Sequence, residues 1–217
     1  MRAWRSKSRK LSEGCSQMAS TRIPCWIKVT HTAFVAVLVP VYWRQYGPGN
    51  FLWFSDVALF TSVPALWFES SLLASTQAVG VLVPETLWWI DYASGLTVRR
   101  TPLRLASYMF DSRLSRFIRG LSLFHLWLMP LLIFIIARVG YDRRALKYQT
   151  AATGAILLAS WRFTKPEDNV NWVYSRKEIR SQRARAGFVT LLIAAIPLAF
   201  LLPAHLLFTR LVRSARR

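Results

Sequence analysis

YGPGNFLWFSDVALFTSVPALWFESSLLASTQAVGVLVPETLWWID, residues 46–91, holds two apolar runs separated by only a few polar residues at 69–71. Each run is about as long as a membrane-spanning helix. Because backbone polar groups inside a bilayer must be satisfied within the segment, we expect both runs to be helices that form a tight hairpin. The first run carries Asp56 and the second carries Glu85. Ionisable residues in such segments are costly to bury and are therefore candidate functional residues.

The composition of the whole chain indicates an integral membrane protein. Its 217 residues are 53% hydrophobic and include 10 Trp, and 29 Lys and Arg residues outnumber 10 Asp and Glu residues. The basic residues lie between apolar runs and form no single patch with a nucleic-acid-binding motif, so nucleic acid is not an expected partner. Cys15 and Cys25 lack the spacing of a metal site, and no cofactor motif occurs. We therefore expect no metal and no cofactor.

The apolar pattern predicts an all-α, polytopic membrane protein with about six transmembrane helices in one domain, residues 26–209. A basic disordered tail, 1–25, precedes this domain, and a basic tail, 210–217, follows it. Arginines and apolar residues alternate at helical spacing over 100–119, which predicts an interfacial amphipathic helix that contacts anionic lipid head groups. The predicted spans are 26–43, 51–68, 72–90, 121–139, 146–163 and 187–208.

Span three has a face of small residues, Ala74, Ala78 and Gly80, which predicts a close approach of neighbouring helices. Alternation of the six spans also sorts the loops onto two sides. Side A holds the loops after spans one, three and five, and side B holds the 69–71 turn, the 142–144 loop and both termini. Nearly all polar residues that are not merely basic fall on side A. The predicted ligand-binding residues there are Arg44, Asn50, Asp56, Glu85, Asp91, His125, Glu167, Asp168, Asn169 and Asn171.

These residues have a structural interpretation as well as a functional one. Asp56 and Glu85 could pair with Arg44, Arg99 or Arg100 and only hold helices in register, or they could bind a ligand or a proton. His125 could be a hydrogen-bonded residue near the interface. Asp56, Glu85, Asp91 and His125 have the ligand types of a metal site, but no paired-histidine or HExxH motif accompanies them. A stripe of tryptophans on side A could wall a pocket: Trp53, Trp88, Trp89 and Trp172.

Three strings, YGPGNFLWFSD at 46–56, LFHLWLMP at 123–130 and PEDNVNW at 166–172, resemble an uncharacterised family of bacterial multi-pass membrane proteins. The resemblance covers most of the chain after residue 25. It implies a multi-pass protein of the bacterial inner (cytoplasmic) membrane, and it implies no activity.

Three functions are compatible with this pattern. The leading hypothesis is a small protein that binds or transports an anionic or lipid-like ligand on side A. The alternatives are a membrane-embedded enzyme that acts on lipid, with Asp56, Glu85 or His125 as acid or base, and a non-catalytic partner subunit. The expected partners are the lipid bilayer, a second copy of the chain or a membrane partner subunit. Both termini should lie on one side of the membrane, and the near-equal basic charge of the two sides leaves that side open.

Overall fold

The structure, a computed structural model, describes residues 22–174 and 181–214, and within these ranges the protein is all-α, without a β-strand. Short 3-10 turns connect several of the helices, and α7 continues through a π-helical turn, Pro197–Leu201, into α8. The helices are α1 Cys25–Tyr46, α2 Phe54–Trp67, α3 Ser71–Thr97, α4 Arg116–Leu121, α5 Phe124–Val139, α6 Ala145–Phe163, α7 Gln182–Ile196 and α8 Leu202–Ser214. With α7 and α8 counted as one continuous helix, six long helices occupy the positions of the six predicted spans, and the largest difference is that α3 continues to Thr97.

Three helical stretches are long and apolar enough to cross a membrane. They are α1, Cys25–Tyr46; α4 together with α5, Arg116–Val139; and α7 together with α8, over Gln182–Val212. The 14 residues of α2 extend over about 21 Å, which is shorter than the hydrocarbon core. The 27 residues of α3 are long enough, but they include buried polar side chains such as Gln77, Glu85 and Asp91. The six predicted spans thus form six helices, of which three meet the length and hydropathy expected of a span.

Helix α3 lies at the centre of the fold and packs against α2, α5, α6 and α8. Residues 74–81 are all buried, so this part of α3 is surrounded by protein on every face. A Cβ added at Gly80 would lie 2.4 Å from Gln149 Nε2 of α6. The predicted close approach at the small-residue face is confirmed, because the Gln149 side chain, in the position it has here, occupies the space that a Cβ at residue 80 would fill.

Contacts between distant segments confirm the predicted grouping of loops at the two ends of the bundle. On side B, Glu69 of the α2–α3 turn accepts hydrogen bonds from the backbone N–H groups of Arg22 and Ile23, which precede α1. Tyr141, between α5 and α6, bonds His205 of α8 at 2.7 Å. On side A, the turn before α2 meets the 170–172 turn that follows α6. The chain therefore traverses the bundle with alternating direction.

The amphipathic helix expected over 100–119 does not form. The segment contains one 3-10 turn, Ser107–Phe110, and regular α-helix begins only at Arg116. Buried Asp91 of α3 accepts hydrogen bonds from the backbone N–H groups of Leu103 and Ala106, both at 2.9 Å. These bonds fold the segment back onto α3, where Phe110 packs over Gly95. The carboxylate of Asp91 here accepts backbone N–H bonds that helix carbonyls would otherwise accept.

The boundaries of the two predicted tails also differ from the structure. Ile23 is fully buried, so the ordered chain already includes residue 23 within the predicted 1–25 tail. Helix α8 continues to Ser214, which places most of the predicted 210–217 tail in a helix. Residues 1–21, 175–180 and 215–217 lie outside the described part of the chain.

Candidate ligand cavity on side A

A cavity of about 320 Å³ opens on side A between the ends of α1, α2, α3 and α5. Two loops complete its wall, the segment after α3 and the 170–172 turn after α6. Its size lies at the lower end of the range of small-molecule sites, and its lining is mostly apolar and aromatic with a few converging polar groups, as such sites usually are. The polar lining includes Asn50, Ser55, Asp56, Glu85, Arg104, Ser122, His125 and Asn171.

Glu85 and His125 form an ion-pair geometry inside this cavity. His125 Nδ1 lies 3.0 and 2.9 Å from the two carboxylate oxygens of Glu85. The Glu85 side chain is 2% exposed and that of His125 is 12% exposed. The imidazole is also stacked against Trp88 and Phe124, with ring centroids 4.6 and 4.2 Å away. Because Glu85 fixes Nδ1 and two rings fix the plane, Nε2 is the ring nitrogen available to a ligand.

Asp56 lies in the first turn of α2 and is 3% exposed. Its Oδ2 accepts one long hydrogen bond, 3.4 Å, from Asn50 Nδ2. Its buried Oδ1 has no hydrogen-bond partner among the described residues. Glu85 is close enough for the two carboxylates to interact electrostatically. Asp56 is therefore a buried acid that the surrounding protein leaves incompletely satisfied.

Asn171 positions one wall of the cavity. Its Oδ1 accepts from the backbone N–H of Phe54 at 3.2 Å, and its Nδ2 donates to Leu52 O and to Ser160 Oγ. The backbone of Asn171 has a φ of 52°, a left-handed conformation that asparagine tolerates better than most residues. The side chain therefore attaches the turn after α6 to the start of α2, and a substitution here would disturb both.

The structure brings half of the ten predicted residues to this cavity: Asn50, Asp56, Glu85, His125 and Asn171. Buried Asp91 instead holds the segment after α3, as described above. The other four lie outside the lining: Arg44, Glu167 and Asp168 are exposed, and Asn169 Oδ1 accepts from the backbone N–H of Tyr174.

Arg104 was not predicted from the sequence. Arg44, Arg99 and Arg100 were the possible partners of the carboxylates, but Arg104 is the one Lys or Arg of the described chain that lines the cavity. Its backbone is left-handed, with a φ of 58°, inside the folded segment after α3. Because residues 100–119 were predicted to form an amphipathic helix, nothing in the sequence indicated that Arg104 would lie at the cavity.

Aromatic side chains form much of the remaining wall. Three of the four tryptophans in the predicted stripe line the cavity, namely Trp53, Trp88 and Trp172. Trp53 and Trp172 contact each other edge to face with centroids 5.6 Å apart. The fourth, Trp89, donates its indole N–H to the backbone carbonyl of His125 at 2.7 Å and so fixes α5 against α3.

Two tyrosines of the wall have polar partners. Trp88 Nε1 donates to the hydroxyl of Tyr108 at 3.3 Å, and the hydroxyl of Tyr42 lies 2.6 Å from Ser122 Oγ. Desolvation by burial raises the pKa of Tyr108 above its ordinary value of 10.0, so this phenol is neutral at physiological pH. Within the described residues, no group of three or more His, Cys, Asp or Glu side chains is arranged to hold a metal ion.

A second buried polar cluster lies on side B and was not expected from the sequence. Lys28 Nζ donates to Glu69 Oε1 at 2.9 Å, and one turn along α1, His31 Nε2 lies 2.7 Å from Ser62 Oγ. Lys28 is 2% exposed and His31 is 5% exposed. A lysine and a histidine at i and i+3 within an otherwise apolar helix were the available signal.

No family model matches this chain, and neither do curated proteins or solved structures. The resemblance to bacterial multi-pass membrane proteins therefore stays a prediction, and the functional argument depends on the residues themselves.

Proposed function

We propose that this chain is a multi-pass protein of the bacterial inner membrane that binds a lipid-like small molecule in the side A cavity. The membrane assignment is supported by three helices of spanning length and hydropathy. It is also supported by large apolar side chains that are more than half exposed along several helices, because contiguous apolar surface of this kind is unfavourable in water. These side chains include Trp26, Phe68, Phe163, Leu191, Leu198 and Leu211.

The observation that carries the ligand proposal is the cavity itself, about 320 Å³ of space with aromatic walls and three converging ionisable groups, Asp56, Glu85 and His125. Of the two ligand classes expected from the sequence, the lining favours the lipid-like one. A simple anion would face two carboxylates and a single guanidinium, that of Arg104. An amphipathic molecule can place its chain along the aromatic wall and its polar group at the acidic end.

Lipid retention by purified protein tests this proposal. In Ser55→Phe, a bulky ring replaces a side chain that lines the cavity, whereas Val63→Phe changes a half-buried valine of the same helix that lies outside the lining. After extensive washing, mass spectrometry should detect a stoichiometric bound amphiphile in the wild type and in Val63→Phe, and much less in Ser55→Phe. Equal retention by the wild type and Ser55→Phe would contradict binding in the cavity.

The Glu85–His125 pair favours one second candidate, an enzyme that acts on lipid. A carboxylate that holds one ring nitrogen of a histidine in a cavity wall is an arrangement used for general acid–base catalysis. Lipid turnover by the wild type, lost in His125→Gln with stability unchanged, would establish this candidate. Ligand retention without turnover of any lipid supplied would exclude it.

A further inference from the structure

Asp56 differs from the other carboxylates that are buried or half buried near the helices. Glu85 is paired with His125, and Asp91 accepts hydrogen bonds from two backbone N–H groups. Glu69 accepts hydrogen bonds from Lys28 and from two backbone N–H groups. Among the described residues, Asp56 has only the 3.4 Å bond from Asn50. Buried polar atoms are nearly always hydrogen-bonded, and each exception requires an explanation. The explanation must come from the cavity, since Asp56 lines it.

The surroundings of Asp56 favour a positively charged partner. Asp56 lies in the first turn of α2, where the helix dipole stabilises an anion, and Glu85 adds negative potential to the same cavity. Burial disfavours an isolated carboxylate charge, so a cation bound beside Asp56 would keep it ionised. The terminal torsion of an aspartate is soft, so a small rotation presents either oxygen to a ligand. Among the described residues, no charged donor makes a hydrogen bond to Asp56.

The aromatic part of the cavity wall is suited to the same partner. Trp53, Trp88 and Trp172 line the cavity together with Tyr42 and Tyr46. The faces of tryptophan and tyrosine rings attract cations, tryptophan most strongly. Because Tyr92 and His125 are both stacked on Trp88, the tryptophans considered for this contact are Trp53 and Trp172. Arg104 is exposed on the cavity lining, so it is available to an anionic group attached to the same ligand.

From this geometry we infer that the side A cavity binds the ammonium group of a primary amine, with Asp56 as its counter-ion and hydrogen-bond acceptor. The inference rests on the proposed function and names the polar group of its ligand. The amine can belong to a lipid headgroup or to a free amine. In both cases a primary ammonium suits Asp56 because it donates up to three charged N–H bonds, whereas an alcohol donates one neutral O–H bond and a carboxylate donates none.

The test uses full-length protein in nanodiscs that contain equal amounts of phosphatidylethanolamine and phosphatidylglycerol with the same acyl chains. Native mass spectrometry measures the lipid that remains bound, and decylammonium, decanol and decanoate are added separately as competitors. The variants are Asp56→Asn, which keeps the shape and removes the charge, Trp53→Leu, which keeps the charge and removes one ring, and Glu167→Gln as an exposed control on side A.

We expect decylammonium to displace the bound molecule from the wild type at about one tenth of the concentration needed for decanol or decanoate. This preference should disappear in Asp56→Asn, weaken in Trp53→Leu and persist in Glu167→Gln. Enrichment of phosphatidylethanolamine in the wild type would identify the headgroup as the source. Displacement by decylammonium without that enrichment would identify a free amine.

Equal displacement by all three competitors would overturn the ammonium inference while the proposed function stands, because an amphiphile would still occupy the cavity. An unchanged preference in Asp56→Asn would overturn the role of Asp56. If Asp56→Asn is not folded, the competitor series on the wild type and Trp53→Leu still decides the question. Absence of any bound amphiphile from the wild type would instead contradict the proposed function.

Discussion

Buried ionisable side chains at the two ends of the bundle have different hydrogen-bond partners. The difference distinguishes residues that stabilise the fold from a residue that is available to bind a ligand. On side B, Lys28 and Glu69 satisfy each other, and Glu69 also accepts from two backbone N–H groups at the start of the described chain. On side A, Asp56 has one long hydrogen bond. A pair that is fully satisfied mainly stabilises the fold, whereas an acid with an open acceptor beside a cavity is available to a ligand.

Glu69→Gln should lower stability in a pH-dependent manner. Burial acts to raise the pKa of Glu69, but the Lys28 hydrogen bond and the backbone N–H groups of Arg22 and Ile23 outweigh it, so its pKa lies below the ordinary value of 4.5. A lowered pKa means that the stabilisation is present above pH 4.5 and is lost as the pH falls through the folded-state value. Because Lys28 would be left buried and unpaired, we expect a loss of about 3 kcal/mol at neutral pH.

Thermal unfolding in detergent between about pH 3 and pH 7 measures this effect. The difference between the wild type and Glu69→Gln should be largest at neutral pH and should shrink in acid. Glu167→Gln is the control, since Glu167 is exposed. A constant difference at all pH values would show that the charge of Glu69 is not what stabilises this end.

Asp91→Asn should destabilise the segment after α3. Each carboxylate oxygen of Asp91 accepts one backbone N–H bond at 2.9 Å, and an amide can accept only one of the two. A buried N–H group without an acceptor costs roughly 1–3 kcal/mol. Hydrogen exchange of Leu103 and Ala106 should increase in Asp91→Asn, with Asp111→Asn, which loses only a surface pair with Arg113, as the control. Unchanged protection of both amides would mean that Asp91 does not hold this segment.

The residues of the cavity could be predicted only in part. Asp56, Glu85 and His125 were expected to lie close together because successive membrane-length helices run in alternate directions. Each of the three residues is near the side A end of its predicted span. Arg104 and Tyr108 could not be placed in this way, because they lie on a folded loop whose path depends on Asp91. The same limit applies to Arg44, which shares side A but lies on the exposed face of α1.

At the scale of elements, the centre of the fold depends on how closely α3 and α6 approach. At Gly80 of α3, the amide of Gln149 from α6 occupies the space that a side chain would fill. The helix positions and a close approach of helices at the small-residue face of α3 were predictable, since long apolar runs and small-residue faces are local features of the sequence. The 100–119 segment was predicted as a helix because its apolar residues have helical spacing, but hydrogen bonds that its backbone N–H groups donate to the Asp91 carboxylate of α3 determine its conformation.

Gly80→Ala should destabilise the protein more than Gly154→Ala. A Cβ at Gly80 would lie 2.4 Å from Gln149 Nε2, whereas a Cβ at Gly154 would lie 3.8 Å from its nearest neighbour, Ile193 Cγ2. Relief of the clash requires the amide of Gln149, the end of a flexible but buried side chain, to shift and repack. Overpacking of this kind costs typically about 1–3 kcal/mol, while alanine at Gly154 should be neutral or stabilising. Equal melting temperatures for the two variants would contradict the close packing.

At the scale of the whole molecule, six long helices alternate between two ends, so the N-terminal end of α1 and the C-terminal end of α8 lie on side B. Contacts from Glu69 to Arg22 and from Tyr141 to His205 join the elements of this end. Reporter enzymes fused before Met1 and after Arg217 should therefore report the same compartment. Opposite compartments would show that one of the six helices does not cross the membrane.

The central claim is that the side A cavity holds a lipid-like molecule. A density map of the protein in a lipid nanodisc tests it most directly, with the region between Asp56 and His125 as the place to inspect. We expect elongated non-protein density that contacts Asp56 at one end and continues along Trp53 and Trp172. A cavity that is closed by its own side chains, or that holds only isolated water peaks in a well-resolved map, would contradict it.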